Sequence, residues 1–179
     1  MARKRPRSIR GDERRSGCDG ALLSWGADPG GDGRLHGTDR EQEFERRGFG
    51  LWAIEVRGTA PFIGFVGLHE AVFEAPFTPA VEVGWRLARQ FWGNGYATEA
   101  GRTAVAFGFD QVGLQEILSF TNVGNTGSQR VMRRIGMRRD SSGDFDHPAV
   151  PEGNPIQPHV LYRIRQGELP AMHAESPAA

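Results

Sequence analysis

Residues 81–88 read VEVGWRLA, and their hydrophobic and polar positions alternate strictly. Val81, Val83, Trp85 and Leu87 fall on one side of a strand, Glu82, Gly84 and Arg86 on the other. The same reading predicts strands over 51–56 (LWAIEV) and 62–68 (FIGFVGL), joined as a hairpin by the turn residues RGTAP. EAPFTPA (74–80) is a loop. The alternating aromatics Trp52, Phe62, Phe65 and Trp85 read as strand core. After residue 96 the period changes. Ala97 to Phe109 is helical, with Ala97, Ala100, Gly101, Ala104 and Gly108 making a narrow face of small residues suited to lying close on a sheet. EILSFTN (116–122) is another strand, NTGSQRVMRRIG (125–136) a short helix stopped by Gly136, and VLYRIR (160–165) a last strand. EQEFERRGFG (41–50) closes a helix at Gly48. There is no internal repeat. The sum is an α/β domain with a mixed sheet over residues 41–167.

Composition changes the picture at the two ends. Residues 1–40 are rich in Arg, Gly and Asp and carry no sustained period. Within 1–16, seven Lys and Arg face two acids, a local +5 that the zero net charge of the 179-residue chain conceals. Such a stretch reads as a disordered leader, which cannot bury enough apolar surface to offset its ordering entropy, or as a nucleic-acid-binding arm. Residues 168–179 read as a flexible tail. A single cysteine, Cys18, excludes an intramolecular disulfide and a cysteine-based zinc site. No apolar run approaches the roughly 18 residues of a membrane span, and the basic start lacks the apolar segment of a signal peptide. The expectation is a soluble cytoplasmic protein, monomer or homodimer, with no membrane contact.

The most informative stretch is RQFWGNGYATEA (89–100), where two glycines stand between a strand and a helix. It is not a P-loop, because no Gly-Lys occurs, and it is not a dinucleotide fingerprint, because Thr98 stands where the third glycine belongs. The remaining pattern is Q-x-x-G-x-G, here Gln90 to Gly95. Glycines there let backbone approach a pyrophosphate while the free amides of the next helix point at it. An ordinary strand-to-helix turn fits the spacing equally well.

The stretch VEVGWRLARQFWGNGYATEA resembles the acetyl-CoA-binding motif of the GNAT superfamily of N-acetyltransferases, in the form of its RimJ/RimL-type members. TNVGNTGSQRVMRRIGM (121–137) resembles the next block of that subgroup, through Asn122, Asn125, Ser128, Val131, Gly136 and Met137. DFDHP (144–148) and HVLYRI (159–164) resemble its C-terminal part. The resemblance runs from about Gly48 to Arg165. It implies a central mixed, mostly antiparallel sheet flanked by helices, and acetyl transfer from acetyl-CoA to a primary amine by direct attack in a ternary complex. The amine is a protein N-terminal α-amine or that of a small molecule. No metal is implied.

The resemblance also assigns residues. Trp85, Arg86 and Leu87 lend backbone groups to the pantetheine arm. The pyrophosphate rests on the amides of Gly93, Asn94, Gly95, Tyr96 and Ala97, with Gln90 opening the motif. Asn125 contacts the coenzyme or caps its helix. For catalysis, Glu82 is the candidate base, since apolar neighbours would raise its pKa; the alternative is a strand glutamate facing solvent or paired with Arg86. Ser128 stands where relatives place a hydroxyl near the coenzyme sulfur, to protonate the thiolate; the alternative is a helix-start serine meeting backbone amides. Asp144, Asp146 and His147 lack further ligands at metal-binding spacing, so DFDHP reads as a loop near the acceptor pocket. His36, His69, His159 and His173 form no ligand pattern.

The departure lies at the start. Relatives carry a strand and two helices ahead of the GFGLW strand, and residues 1–40 leave these missing or garbled. A one-base frame shift in a suitable coding of PGGDGRLHG (29–37) gives Pro-Glu-Val-Met-Asp-Gly-Phe-Met, which has the composition of a folded segment. The competing expectation to an active enzyme is therefore a catalytically impaired, coenzyme-binding or structural remnant of the same fold.

Overall fold

A computed structural model describes residues 44–170. The readings of residues 1–40, including the frame alternative, and of 171–179 lie outside the described residues.

Six strands form one sheet: β1 (Leu51–Val56), β2 (Ala60–Ala71), β3 (Ala80–Leu87), β4 (Glu116–Asn122), β5 (Arg138–Asp146) and β6 (Pro158–Arg165). Two helices lie wholly within the described residues, α1 (Tyr96–Asp110) and α2 (Thr126–Ile135), and a further helical turn over residues 44–47 ends at Gly48, as expected. The spatial order is β1-β2-β3-β4-β6-β5. Every neighbouring pair is antiparallel except β3 and β4. The mixed, mostly antiparallel sheet flanked by helices is therefore as expected.

Alternation sorts side chains to two faces. Val66, Leu68, Val83, Ile117, Val160, Tyr162 and Ile164 join Ala104, Val105 and Phe109 of α1 and Met132 and Ile135 of α2 in the larger core. Both helices thus cover the same face. The small-residue face of α1 lies close on the sheet at Gly108, where a Cβ would sit 2.8 Å from Ile117 Cδ1, while at Gly101 the close neighbour is Ile135 Cδ1 of α2, at 2.6 Å. The opposite face carries a second cluster, Ala71, Leu118, Phe120 and Leu161, covered by Phe73, Phe77 and Phe145.

Three features depart from the pattern reading. Residues 138–146, which show no apolar alternation, form the edge strand β5, bulged between Asp140 and Phe145 and lined by charges. Arg163 of β6 reaches Asp140 at 2.6 Å and Glu116 at 2.8 Å, and Arg139 Nη2 reaches Asp144 Oδ2 at 2.6 Å, so β5 is fixed by ladder bonds and ion pairs more than by burial. DFDHP is accordingly the end of β5 and not wholly loop. Second, Phe62 is 44% exposed, because the β1–β2 register slips between Ile54 and Val56 beside it; it is not core, and Phe65 is half-buried. Third, a 3₁₀ turn at Arg89–Phe91 separates β3 from the glycine loop. No helix among the described residues is long and apolar enough to cross a membrane.

Candidate functional site

The parallel pair β3 and β4 share a single register pair, Glu82 with Leu118. Beyond it, residues 83–87 of β3 and 119–122 of β4 have no partner in each other, and the sheet opens toward its α1 and α2 end. Ala88 N donates to Ile63 O at 2.9 Å, so strand alternation turns the backbone of Arg86 toward β2 and that of Trp85 and Leu87 toward the opening. Of the three residues expected to lend backbone groups to a pantetheine arm, Trp85 and Leu87 turn backbone into this opening and Arg86 does not. Leu87 O is already engaged, accepting Trp92 Nε1–H at 2.7 Å.

Glu82 sits at the fork. Its side chain leaves β3 on the face away from the helices, between His69 of β2 and Leu118 of β4 in register, and is 1% exposed. Burial pushes its carboxyl well above the ordinary carboxylate range; the backbone N–H of Phe120, which it accepts, pulls the other way. A side-chain carboxyl thus takes the place of a ladder partner where the strands part. Oε2 has no hydrogen-bond partner among the described residues. Glu82 neither faces solvent nor pairs with Arg86, so a buried carboxyl with one unused oxygen stands at the base of an opening in the sheet.

At the other end lies the glycine loop. Gly93 and Gly95 hold φ of 81° and 84°, the left-handed region that side chains with a Cβ rarely adopt. Asn94 Nδ2 closes the loop on Phe91 O (3.2 Å) and Trp92 O (3.1 Å). Thr98 N and Glu99 N donate to Gly95 O, at 2.9 and 3.0 Å. The amides of Gly93, Asn94, Gly95, Tyr96 and Ala97 have no acceptor among the described residues, and Gly95 caps α1 without a side chain. Five consecutive free N–H groups at an exposed helix start can hold an anion, with the helix dipole in support. An added Cβ at Gly93 or Gly95 would meet nothing within 4 Å, so space for a ligand's phosphates remains in front of the loop. Gln90 lies exposed on the preceding 3₁₀ turn.

Across the opening, α2 begins with Asn125 as its N-cap. Asn125 Oδ1 accepts Ser128 N–H at 3.1 Å, while Nδ2 donates to Thr121 Oγ1 at 3.0 Å and to Ser128 Oγ at 3.2 Å. The cap reading of Asn125 is therefore realised. Ser128 is half-buried, and its hydroxyl is bonded to the cap side chain instead of capping backbone itself.

Two histidines that the sequence treats separately, His147 in DFDHP and His159, come together in the fold. His147 and His159 are each 4% exposed and pack 4.9 Å apart among Phe73, Phe120 and Phe145. Burial lowers the pKa of both, that of His147 to about 4. The available signal was the alternation of rings, Phe145 and His147, against carboxylates, Asp144 and Asp146. A shallow cleft of about 360 Å³ opens beside this cluster, between Val123, Phe145, His159 and Val160, with Asp144 and Asp146 also on its lining.

With this geometry in view, known proteins are informative. The family model described as "Acetyltransferase (GNAT) domain" matches residues 29–138. FsC-acetyl coenzyme A-N(2)-transacetylase of Aspergillus fumigatus is 35% identical over 137 residues, covering 72% of this chain and 55% of that protein. YkkB of Bacillus subtilis is 36% identical over 90 residues, covering 50% of this chain and 51% of its own length. The chain thus spans about half the length of these curated relatives. The crystal structure of an acetyltransferase from Agrobacterium tumefaciens superposes with a TM-score of 0.54 at 28% identity, covering 71% of this chain and 67% of that one.

Proposed function

We propose an activity from the premise that the chain belongs to the acetyltransferase (GNAT) domain family: it transfers the acetyl group of acetyl-CoA to a primary amine within a ternary complex. The observation that carries this reading is Glu82, a fully buried carboxyl with a raised pKa and a free Oε2, set where β3 and β4 part. A carboxylate held in water titrates too low to accept an ammonium proton efficiently. Burial moves Glu82 toward the pH at which it works.

The other residues have matching roles. The amides of residues 93–97 hold the pyrophosphate, and the backbone of Trp85, with the N–H of Leu87, lines the pantetheine arm. The name of the relative from Aspergillus fumigatus contains acetyl coenzyme A, which supports the same co-substrate here. Glu82 takes a proton from the acceptor ammonium, directly or through one water, which frees the nitrogen lone pair to attack the thioester carbonyl carbon. Ser128 passes its hydroxyl proton to sulfur as the carbon–sulfur bond breaks. The attacking nitrogen gives up its second proton as the tetrahedral intermediate collapses, and through water this restores the serine hydroxyl. Glu82 hands the first proton to solvent, so the products are an amide, a free thiol and one released proton. The RimJ/RimL-like motifs favour an acceptor that is a protein N-terminal α-amine or a small-molecule amine.

Titration calorimetry of the full chain with acetyl-CoA, with CoA alongside, tests the first half of the reading. Saturable one-to-one binding is expected; no binding by folded protein would favour a non-catalytic remnant. An amine screen then supplies the acceptor for Glu82→Gln. That variant should bind acetyl-CoA as the parent does and turn over about 10²–10⁴-fold more slowly, the usual share of a general base. Unchanged turnover would remove Glu82 from the mechanism.

A further inference from the structure

Asn125 is committed inside the protein. Ser128 N–H can only donate, so the atom facing it is Oδ1, and the amide nitrogen lies on the side of Thr121 and Ser128 Oγ. Its two hydrogens are then matched by two acceptors, Thr121 Oγ1 at 3.0 Å and Ser128 Oγ at 3.2 Å. Nothing remains on Nδ2 for a ligand. Thr121 is 5% exposed on β4, one residue beyond Phe120, so its oxygen is a fixed point of the sheet.

This arrangement has a consequence for Ser128. An amide cannot rotate its plane freely once Oδ1 and Nδ2 are both held. Nδ2–H therefore occupies one lone pair of the serine oxygen from a set direction, and the hydroxyl hydrogen must point elsewhere. A serine at a helix start would otherwise turn that hydrogen toward any acceptor within reach.

We propose that Thr121 is a positioning residue: through Asn125 it holds the Ser128 hydroxyl as a donor directed at the coenzyme sulfur. This rests on the reading of Ser128 given above. Thr121 itself touches neither coenzyme nor acceptor. Removing its oxygen frees the Asn125 amide to swing, and the donor direction of Ser128 is lost while the helix cap from Oδ1 to Ser128 N–H can persist.

The test uses CoA itself as probe and needs no acceptor. The thiolate of bound CoA is followed by its ultraviolet absorbance as pH is raised, in the full-length parent, Ser128→Ala, Thr121→Val and Thr121→Ser. A directed hydroxyl lowers the bound thiol pKa, so Ser128→Ala should raise it by about one unit, a tenfold change in ionisation. Thr121→Val should raise it to the same extent, Thr121→Ser should restore it, and Thr121→Val in a Ser128→Ala background should add nothing. A Ser128→Ala protein that binds CoA with an unmoved thiol pKa would sink the serine reading, and this proposal with it. A shift in Ser128→Ala but none in Thr121→Val would overturn the proposal and leave the serine standing. Loss of CoA binding in Thr121→Val would overturn it too, by giving Thr121 a role in the coenzyme site.

Discussion

Acid should weaken this fold through one histidine. His147 lies at the end of β5, 4% exposed, its ring centre 4.7 Å from Phe73 and 4.9 Å from His159. Its Nδ1 accepts Ala149 N–H at 3.2 Å, so that nitrogen must be unprotonated in the native state. Burial, and then the neighbouring His159, lower its pKa from 6.5 to about 4. Of the charged groups nearby, Asp146 acts in the opposite sense, on His159. Because the folded pKa lies below the unfolded one, the unfolded chain binds more protons between those values. The stability is fully present above about pH 6.5 and is lost as pH falls from there toward 4. At about 1.4 kcal/mol per pKa unit, the loss between pH 7.5 and 4.5 is at most about 2–3 kcal/mol. Urea unfolding at the two pH values, on the parent and on His147→Phe, isolates it. The phenyl ring joins the same aromatic cluster but leaves Ala149 N–H unpaired, so the variant should be about 1–3 kcal/mol weaker at pH 7.5. It should lose about 2–3 kcal/mol less than the parent on acidification, all other acid-sensitive groups cancelling in the difference. Equal losses in both proteins would refute the reasoning. The result bears on the site, because the same cluster packs on Phe120, whose N–H holds Glu82.

Two glycine substitutions separate coenzyme binding from folding. Gly95→Val places a β-branched residue at a φ of 84° in the glycine loop, at about 1–3 kcal/mol of strain, and should abolish acetyl-CoA binding by calorimetry. Gly58→Val imposes similar strain at a φ of 73° in the β1–β2 turn and should leave binding intact; equal binding by both variants would count against the loop assignment. Gly67→Ala acts by close approach, since its Cβ would stand 2.1 Å from Gly50 O and 2.7 Å from Leu51 Cα. Both are backbone atoms that cannot swing aside, so β1 must shift, and a loss of at least about 3 kcal/mol is expected in denaturant unfolding. A loss within 1 kcal/mol would mean that the strand pair is not held at this spacing.

How far the site could be read varied with the kind of signal. The glycine loop and the Asn125 cap were legible because both depend on backbone geometry that few residue types satisfy: left-handed φ at Gly93 and Gly95, and a short acceptor at a helix start. The sequence left Glu82 open between burial among apolar neighbours and a solvent-facing or Arg86-paired position, and the fold buries it. Its contact with Phe120 was not legible, because residues 38 positions apart in the chain meet only where two strands diverge. The same limit hid β5 and the histidine pair. An edge strand held by Arg163, Asp140 and Glu116 needs no apolar face, and His147 and His159 become neighbours only when β5 folds back on β6.

The sequence by itself determined the local structure of this protein: period-2 runs that must be strands, the small-residue stripe of α1, the left-handed glycines, the cap of α2. These follow from sterics and hydrogen bonding within a few residues. The tertiary structure decided what those pieces do together. It set β3 and β4 parallel with one register pair, put the Glu82 carboxyl into the gap with one oxygen unused, and tied Thr121, Asn125 and Ser128 into a single hydrogen-bonded unit beside it. Local rules do not fix such contacts, because each depends on where strands distant in the chain come to rest, and on the cost of leaving a buried polar group unpaired.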